Sequence, residues 1–311
     1  MSTAEDYARF AGQEARGVSP AYERLAAAVA RDGALIALID TLPPRRRQPN
    51  LLFSVVRLLG GPVTDPLAFC EYLLAHWPAI AAQMRERSTQ TNEAGRCAVL
   101  LPVLAALPQP LALLEVGASA GLCLYPDRYA YRYGDRTLGT GEPVLDCDLT
   151  GTAPPDRRPE VVWRAGLDLN PLDVTDPADL AWLDALIWPE HAHRRARLHA
   201  AAAIAAADPP LLVRGDLVDD LAALAARAPA GATLVVFHTS VLYYVAPERR
   251  RAFARQVQAL PARWLSNDAP DVLPYDGLPA CPPGGLHNVL ALDGRPLAWT
   301  RPHGQGLTWF G

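Results

Sequence analysis

The sharpest spacing of chemically useful residues is Glu115, Gly117, Ser119 and Gly121, within Leu113-Leu114-Glu115-Val116-Gly117-Ala118-Ser119-Ala120-Gly121. An apolar run that ends in a carboxylate and enters a turn of small residues lets the backbone approach a ligand. Glycine permits left-handed conformations there, and a helix starting beyond the turn offers free N–H groups. On this reading the turn cradles a nucleotide-like cofactor. Read as G-x-S-x-G, the same turn presents Ser119 as a nucleophile, with Asp268 and then His287 or His303 following in a usable chain order. A third reading is a turn that only packs.

Other candidates fall downstream and upstream of this turn. A carboxylate after the second strand of a nucleotide-binding sheet can accept from both ribose hydroxyls. Asp135 and Asp168 are the candidates for it. Asp216 and Leu217 follow the apolar run Leu211-Leu212-Val213, and His238 closes Leu234-Val235-Val236-Phe237. Histidine titrates near neutrality, so His238 is a candidate general base. Tyr243 and Tyr244 offer aromatic faces that can wall a site and stabilise a cation. Asn92 and Arg96 are four apart, which places them on one helix face, and Arg96 can clamp a carboxylate. These two, with Tyr244, are the candidate substrate-binding residues. Each candidate also has a plainer role: a hydrogen-bonded core histidine, packed tyrosines, a solvated polar face.

Composition narrows the classes. All 29 basic residues are Arg, so Schiff-base chemistry, a P-loop lysine and a kinase lysine are excluded. With half the residues apolar and a fifth charged, the chain reads as globular with a sizeable core. A net charge of −4 gives no support to a nucleic-acid groove. The five cysteines form no C-x-x-C, and His191 and His193, two apart, do not share a helix face, so no metal site is expected. The start MSTAEDYARF lacks a basic-then-apolar leader. The apolar stretch 97–116 is broken by Pro102, Pro108 and Pro110. A cytoplasmic protein with a small-molecule substrate, and no nucleic-acid or membrane partner, is the expectation.

The elements that must position these residues fall into two parts. Residues 1–108 read as helices, a cap or substrate region. From 109 to 311, short apolar runs alternate with helical segments, as βαβ units do. Strands are expected at 111–117, 129–135, 159–171, 211–216, 233–238 and 262–268, with a hairpin-like end over 286–310 and an inserted hairpin at about 136–160. The fold class expected is α/β: a mostly parallel, Rossmann-like sheet with an antiparallel C-terminal hairpin and a helical N-terminal cap.

E-x-G-x-S-x-G resembles the first motif of class I S-adenosylmethionine-dependent methyltransferases, [D/E]-x-G-x-G-x-G, with Ser119 where the second glycine stands. Gly166-Leu167-Asp168-Leu169-Asn170-Pro171 resembles a G-h-D-h-N-P segment of many such enzymes (h apolar), which favours Asp168 over Asp135. Asp216-Leu217 resembles the position of an acid near the adenine amino group. His238 ends the fourth strand, where reacting groups lie in that family. As a set, RSTQTNEAGRC, LLEVGASAGL, GLDLNPLDVTDP, GDLVDDL, VVFHTSVL, WLSND and LDGRPLAWTRPHG resemble a domain-of-unknown-function family of GC-rich bacteria. The resemblance implies S-adenosylmethionine as cofactor, held by Glu115, Gly117, Ser119, Gly121, Asp168, Asp216 and Leu217. His238 and Tyr243 would then be catalytic in methyl transfer to a small molecule. The alternatives are an enzyme that cleaves or cyclises the cofactor or transfers another part of it, a serine hydrolase acting through Ser119, and a non-catalytic ligand-binding regulator.

Overall fold

Short polar side chains open most of the N-terminal helices. In the computed structural model, which describes residues 2–90 and 92–311, the Ser2 hydroxyl accepts from Glu5 N and the Glu5 carboxylate accepts from Ser2 N. Together they form a capping box at the head of α1 (Thr3–Arg9). Ser19 and Pro20 start α2 (Pro20–Arg31), after a π-helical segment at Phe10–Ala15. Asp32 caps α3 (Gly33–Ile39), Pro49 opens α4 (Pro49–Leu58), and Asp65 with Pro66 starts α5 (Pro66–Glu86). α5 bends at His76, whose φ of −118° leaves the helical range two residues before Pro78. Next come α6 (Cys97–Ala106) and β1 (Leu111–Val116).

Two units result. The first comprises residues 2–90 together with 175–196, and the second residues 92–174 with 197–311. This differs from the expected division at 108. Asn92 to Ala106 belong with the sheet, and α7 (Pro177–Ala185) belongs with the N-terminal helices. The interior of the first unit is aromatic. Phe53 sits among Tyr7, Phe10, Tyr22 and Phe69, and Trp188 packs on Phe10 and Tyr22. Arg57 pairs with Asp184 at 3.2 Å, and Glu190 accepts from Ser19 Oγ and Ala21 N. His191 stacks on Trp188, and among the described residues no group of three or more His, Cys, Asp or Glu is placed to hold a metal ion.

In the second unit β1 is buried along its whole length, as a strand covered on both faces must be. A small sheet of β2 (Ala130–Tyr133), β3 (Arg136–Leu138) and β4 (Val144–Asp146) follows, ordered β3-β2-β4. The chain then adds β5 (Asp148–Thr150) and β6 (Val161–Asp168) to the main sheet. Past α7 and α8 (Ala192–Ala207) come β7 (Leu211–Arg214), α9 (Leu221–Ala225), β8 (Thr233–Thr239), α10 (Pro247–Ala259) and β9 (Arg263–Asp268). A meander closes the chain: β10 (Asn288–Leu292), β11 (Arg295–Thr300) and β12 (Gly306–Trp309). The nine-stranded order is β5-β12-β11-β10-β9-β8-β1-β6-β7.

From β7 to β9 all neighbours are parallel. Taken in chain order, these five strands lie third, second, first, fourth, fifth, which is the doubly wound pattern. The expected antiparallel end is present, as a three-stranded meander with β5 added parallel to β12. One face carries a core of Leu114, Val116, Leu221, Val236, Phe253, Val257 and Trp264.

One expectation fails. The glycine turn does not lead into an α-helix; a single 3-10 turn, Leu122–Leu124, follows, and then the small sheet. Pro126 explains it, since a helix cannot continue through the residue before a proline without strain. The expected insertion at 136–160 begins earlier, because the hairpin already starts at β2.

Candidate functional site

In a doubly wound sheet the ligand crevice lies outside the carboxyl ends of the strands where the order reverses. Here those strands are β1, β6 and β8, and their ends carry Glu115, the 117–121 turn, Asp168 and Thr239.

The turn has the backbone its composition demands. Gly117 and Gly121 both lie at φ 71°, and Ser119 at φ 52° holds a conformation that non-glycine residues rarely adopt. Its first three amides are already engaged by protein. Gly117 N and Ala118 N donate to Leu167 O at 2.8 and 3.3 Å, and Ser119 N donates to Asp168 Oδ2 at 2.8 Å. Asn92 clamps it from outside, donating to Ala118 O and accepting from Leu122 N, each at 3.1 Å. A Cβ on Gly117 would stand 2.4 Å from the Val241 side chain, so tight packing makes glycine necessary there. The expected cradle of free amides at a helix start is therefore corrected.

Asp168 ends β6 beside the turn, accepting from Ser119 N through one oxygen and from Asn170 N (2.7 Å) through the other. Each oxygen keeps a further lone pair. Asp135 lies in the exposed β2–β3 turn of the small sheet. Glu115 is buried, and desolvation, helped by Cys123 beside it, pushes its carboxyl well above the usual range against the opposing pull of Arg96. Its Oε2 and the Ser119 hydroxyl are buried without a hydrogen-bond partner.

The chain belongs to DUF2332. This family, described as an uncharacterized protein conserved in bacteria, matches residues 4–309. No curated protein and no solved structure matches the chain.

In this DUF2332 chain the remaining candidates divide by the face they occupy. In the parallel register Glu115 pairs with Phe237, and Phe237 with Leu265, so these three point the same way and His238 points to the opposite face. His238 is fully buried. Its Nδ1 donates to Asp268 Oδ2 at 2.7 Å and its Nε2 accepts from Trp264 Nε1 at 3.1 Å. Indole can only donate, which fixes the tautomer. Both ring nitrogens are occupied, so the expectation that His238 is a general base is corrected to a structural role. Asp268 also accepts from Val241 N at 2.9 Å and thereby anchors the loop after β8. The hydrolase triad is not assembled, because Ser119 Oγ has no partner and Asp268 serves His238 rather than His287 or His303.

Tyr243 and Tyr244 follow on a 3-10 turn, with ring centroids 3.9 Å apart and substantial exposure. They stand free to contact a ligand. The Asp216 carboxylate loses solvation, but hydrogen bonds from Val218 N, Asp219 N and Arg249 outweigh this and hold it below the usual range. It caps its own turn, while Leu217 packs against the core beneath it.

Asn92 and Arg96 do not share a helix face, because residue 92 precedes the 3-10 turn Ala94–Arg96. Arg96 is buried as a tie: its Nε donates to Pro302 O at 3.0 Å, and its Nη1 to Thr239 O (3.0 Å) and Oγ1 (3.1 Å). Beside it Glu93 Oε1 meets Arg197 at 3.1 Å.

Sequence reasoning missed one row of residues. The register that aligns Glu115 with Phe237 also aligns Thr239 with Asn267, Asn267 with Leu290, and Asn288 with Thr300. Glu115, Thr239, Asn267, Asn288 and Thr300 thus form a buried polar stripe along the carboxyl edge, all on the face away from His238. Thr300 Oγ1 donates to Asn267 Oδ1 at 2.7 Å, and Asn267 Nδ2 is buried without a partner. Consecutive polar residues closing apolar strands (Phe237-His238-Thr239, Leu265-Ser266-Asn267) were the available signal.

Proposed function

We propose that the chain is a small-molecule methyltransferase that binds S-adenosylmethionine at the carboxyl edge of its sheet. The observation that carries this reading is the bond from Ser119 N to Asp168 Oδ2. It joins a glycine turn after the first core strand to an acid ending the second, within a parallel order that reverses beside them. The Asp168 carboxylate, with its spare lone pairs, suits the two ribose hydroxyls. Glu115 lies beneath the turn, its carboxyl pushed up by burial. Tyr243 and Tyr244 would wall the reacting end of the site.

The engagement of the Gly117, Ala118 and Ser119 amides by protein bears on how the ligand is held, since more of its recognition falls to these side chains. When bound, S-adenosylmethionine supplies an electrophilic methyl group. In-line displacement at such a group depends on alignment more than on acid–base power. The loss of His238 as a base therefore removes no required step from the reading.

Isothermal titration with S-adenosylmethionine and S-adenosylhomocysteine tests it. Saturable binding of one or both is expected, weakened at least ~10-fold in Asp168→Ala. No heat of binding from either ligand at high micromolar concentration refutes the reading.

A further inference from the structure

We propose that the outward face of α5 is the contact between two copies of this chain, packed antiparallel about a two-fold axis at Pro78. The proposal goes beyond the cofactor reading and does not depend on it.

A surface helix of a globular protein buries one apolar stripe and turns polar residues to solvent on the opposite side. α5 departs from that rule. Its inward face is the expected one, with Phe69, Leu73, Ile80 and Met84 fully buried. Two of these precede the bend at His76 and two follow it, so the faces run on through the bend. At 3.6 residues per turn the opposite side carries Leu67, Leu74, Ala75, Pro78 and Ala82, and every one is exposed. Leu67 is 71% exposed and Leu74 51%. A singly exposed leucine needs no explanation, but an apolar row along one helix marks a surface that is covered.

The two charges on this stripe say what covers it. Glu71 and Arg85 lie seven residues before and seven after Pro78, and both are exposed. Among the described residues neither finds an ion-pair partner within the chain. A two-fold rotation about Pro78 lays the stripe on itself. Glu71 then meets the partner's Arg85, Leu74 lies over the partner's Ala82, and Pro78 faces its own counterpart. An isologous contact requires such self-complementarity, whereas an unrelated protein gives no reason for opposite charges to be placed symmetrically. At 1.5 Å per residue the two charges stand about 21 Å apart, so their ion pairs bracket the apolar stretch. The small side chains between them allow the helix axes to approach at about 8–10 Å. One helix pair covers less than the roughly 1,200–2,000 Å² of standard stable complexes, so the dimer is expected to form at micromolar concentrations.

Sedimentation velocity on the full chain, from about 1 µM to about 500 µM, tests the contact. A rise from monomer to dimer mass across that range is expected. Leu74→Glu puts an unpaired carboxylate into the contact and should weaken association at least ~10-fold. Glu71→Arg and Arg85→Glu each set like charges opposite one another and should weaken it by about 10-fold. The double variant E71R/R85E restores both pairs and should recover the natural affinity. An equal mixture of the two single variants should form mixed dimers in preference to dimers of either. Thermal unfolding of each variant checks that it folds, and if Leu74→Glu does not, the charge exchange decides. Monomer mass throughout, a dimer indifferent to Leu74→Glu, or one that the double variant fails to restore overturns the proposal.

Discussion

Glu115 is the residue at which sequence and environment disagree most productively. A carboxylate at the end of an otherwise apolar strand reads as a ligand-holding anion, yet burial pushes its pKa well above the usual carboxylate range. The consequence for stability follows from its raised pKa. Below the ordinary value of about 4.5 both folded and unfolded chains carry the proton, and the contribution is fully present. As pH rises above that value the unfolded chain releases a proton that the folded chain retains. Folding then loses about 1.4 kcal/mol per pH unit until the folded pKa is reached. Glu115→Gln has no proton to retain. Its stability relative to the natural chain should therefore climb as pH rises above about 4.5, read by urea unfolding at each pH; parallel pH profiles would contradict a raised Glu115 pKa. His238 teaches the complementary lesson. A histidine at a strand end was legible as a candidate base, but its face was not. Alternation separates Phe237 from His238, and only the register with β1 says which of the two joins Glu115.

At the scale of elements, the strands were legible because continuous apolar runs bounded by glycine or proline can be little else in a parallel sheet. β1, β8 and β9 lie where those runs predict. The helix after the glycine turn was misread because Leu122-Cys123-Leu124 is apolar enough to start one, while Pro126 stops it at a single 3-10 turn. The packing of the turn Ala94–Arg96 against the segment 301–304 left no local signal at all, since it joins residues some 200 apart. That contact depends on two glycines. A Cβ on Gly304, itself at φ 85°, would lie 1.9 Å from Gly95 O and 2.8 Å from Arg96 N, all of it backbone that cannot swing aside. Gly304→Ala should destabilise by roughly 2–4 kcal/mol, from positive φ and overpacking together. Chemical denaturation would show it, and a change within about 0.5 kcal/mol would mean the two segments are not in register as described.

Over the whole molecule, fold class was readable and unit boundaries were not. Helical periodicity before 108 and strand-helix alternation after it describe local grammar. Membership of a packed unit depends on contacts distant in sequence. Asn92, in a polar stretch, belongs with the sheet because its carboxamide completes the glycine turn, and residues 175–196 belong with the N-terminal helices through Trp182, Trp188 and Arg57–Asp184. No described helix is long and apolar enough to cross a membrane. The central claim is that one edge and one face of the nine-stranded sheet, marked by Asp168, Glu115 and Asn267, receive the ligand. A crystal structure of the chain grown with S-adenosylhomocysteine tests this most directly. The account predicts the ribose hydroxyls on the Asp168 carboxylate, with the amino-acid end toward Glu115. Density for the ligand on the His238 face, or away from the carboxyl ends of β1, β6 and β8, would contradict it.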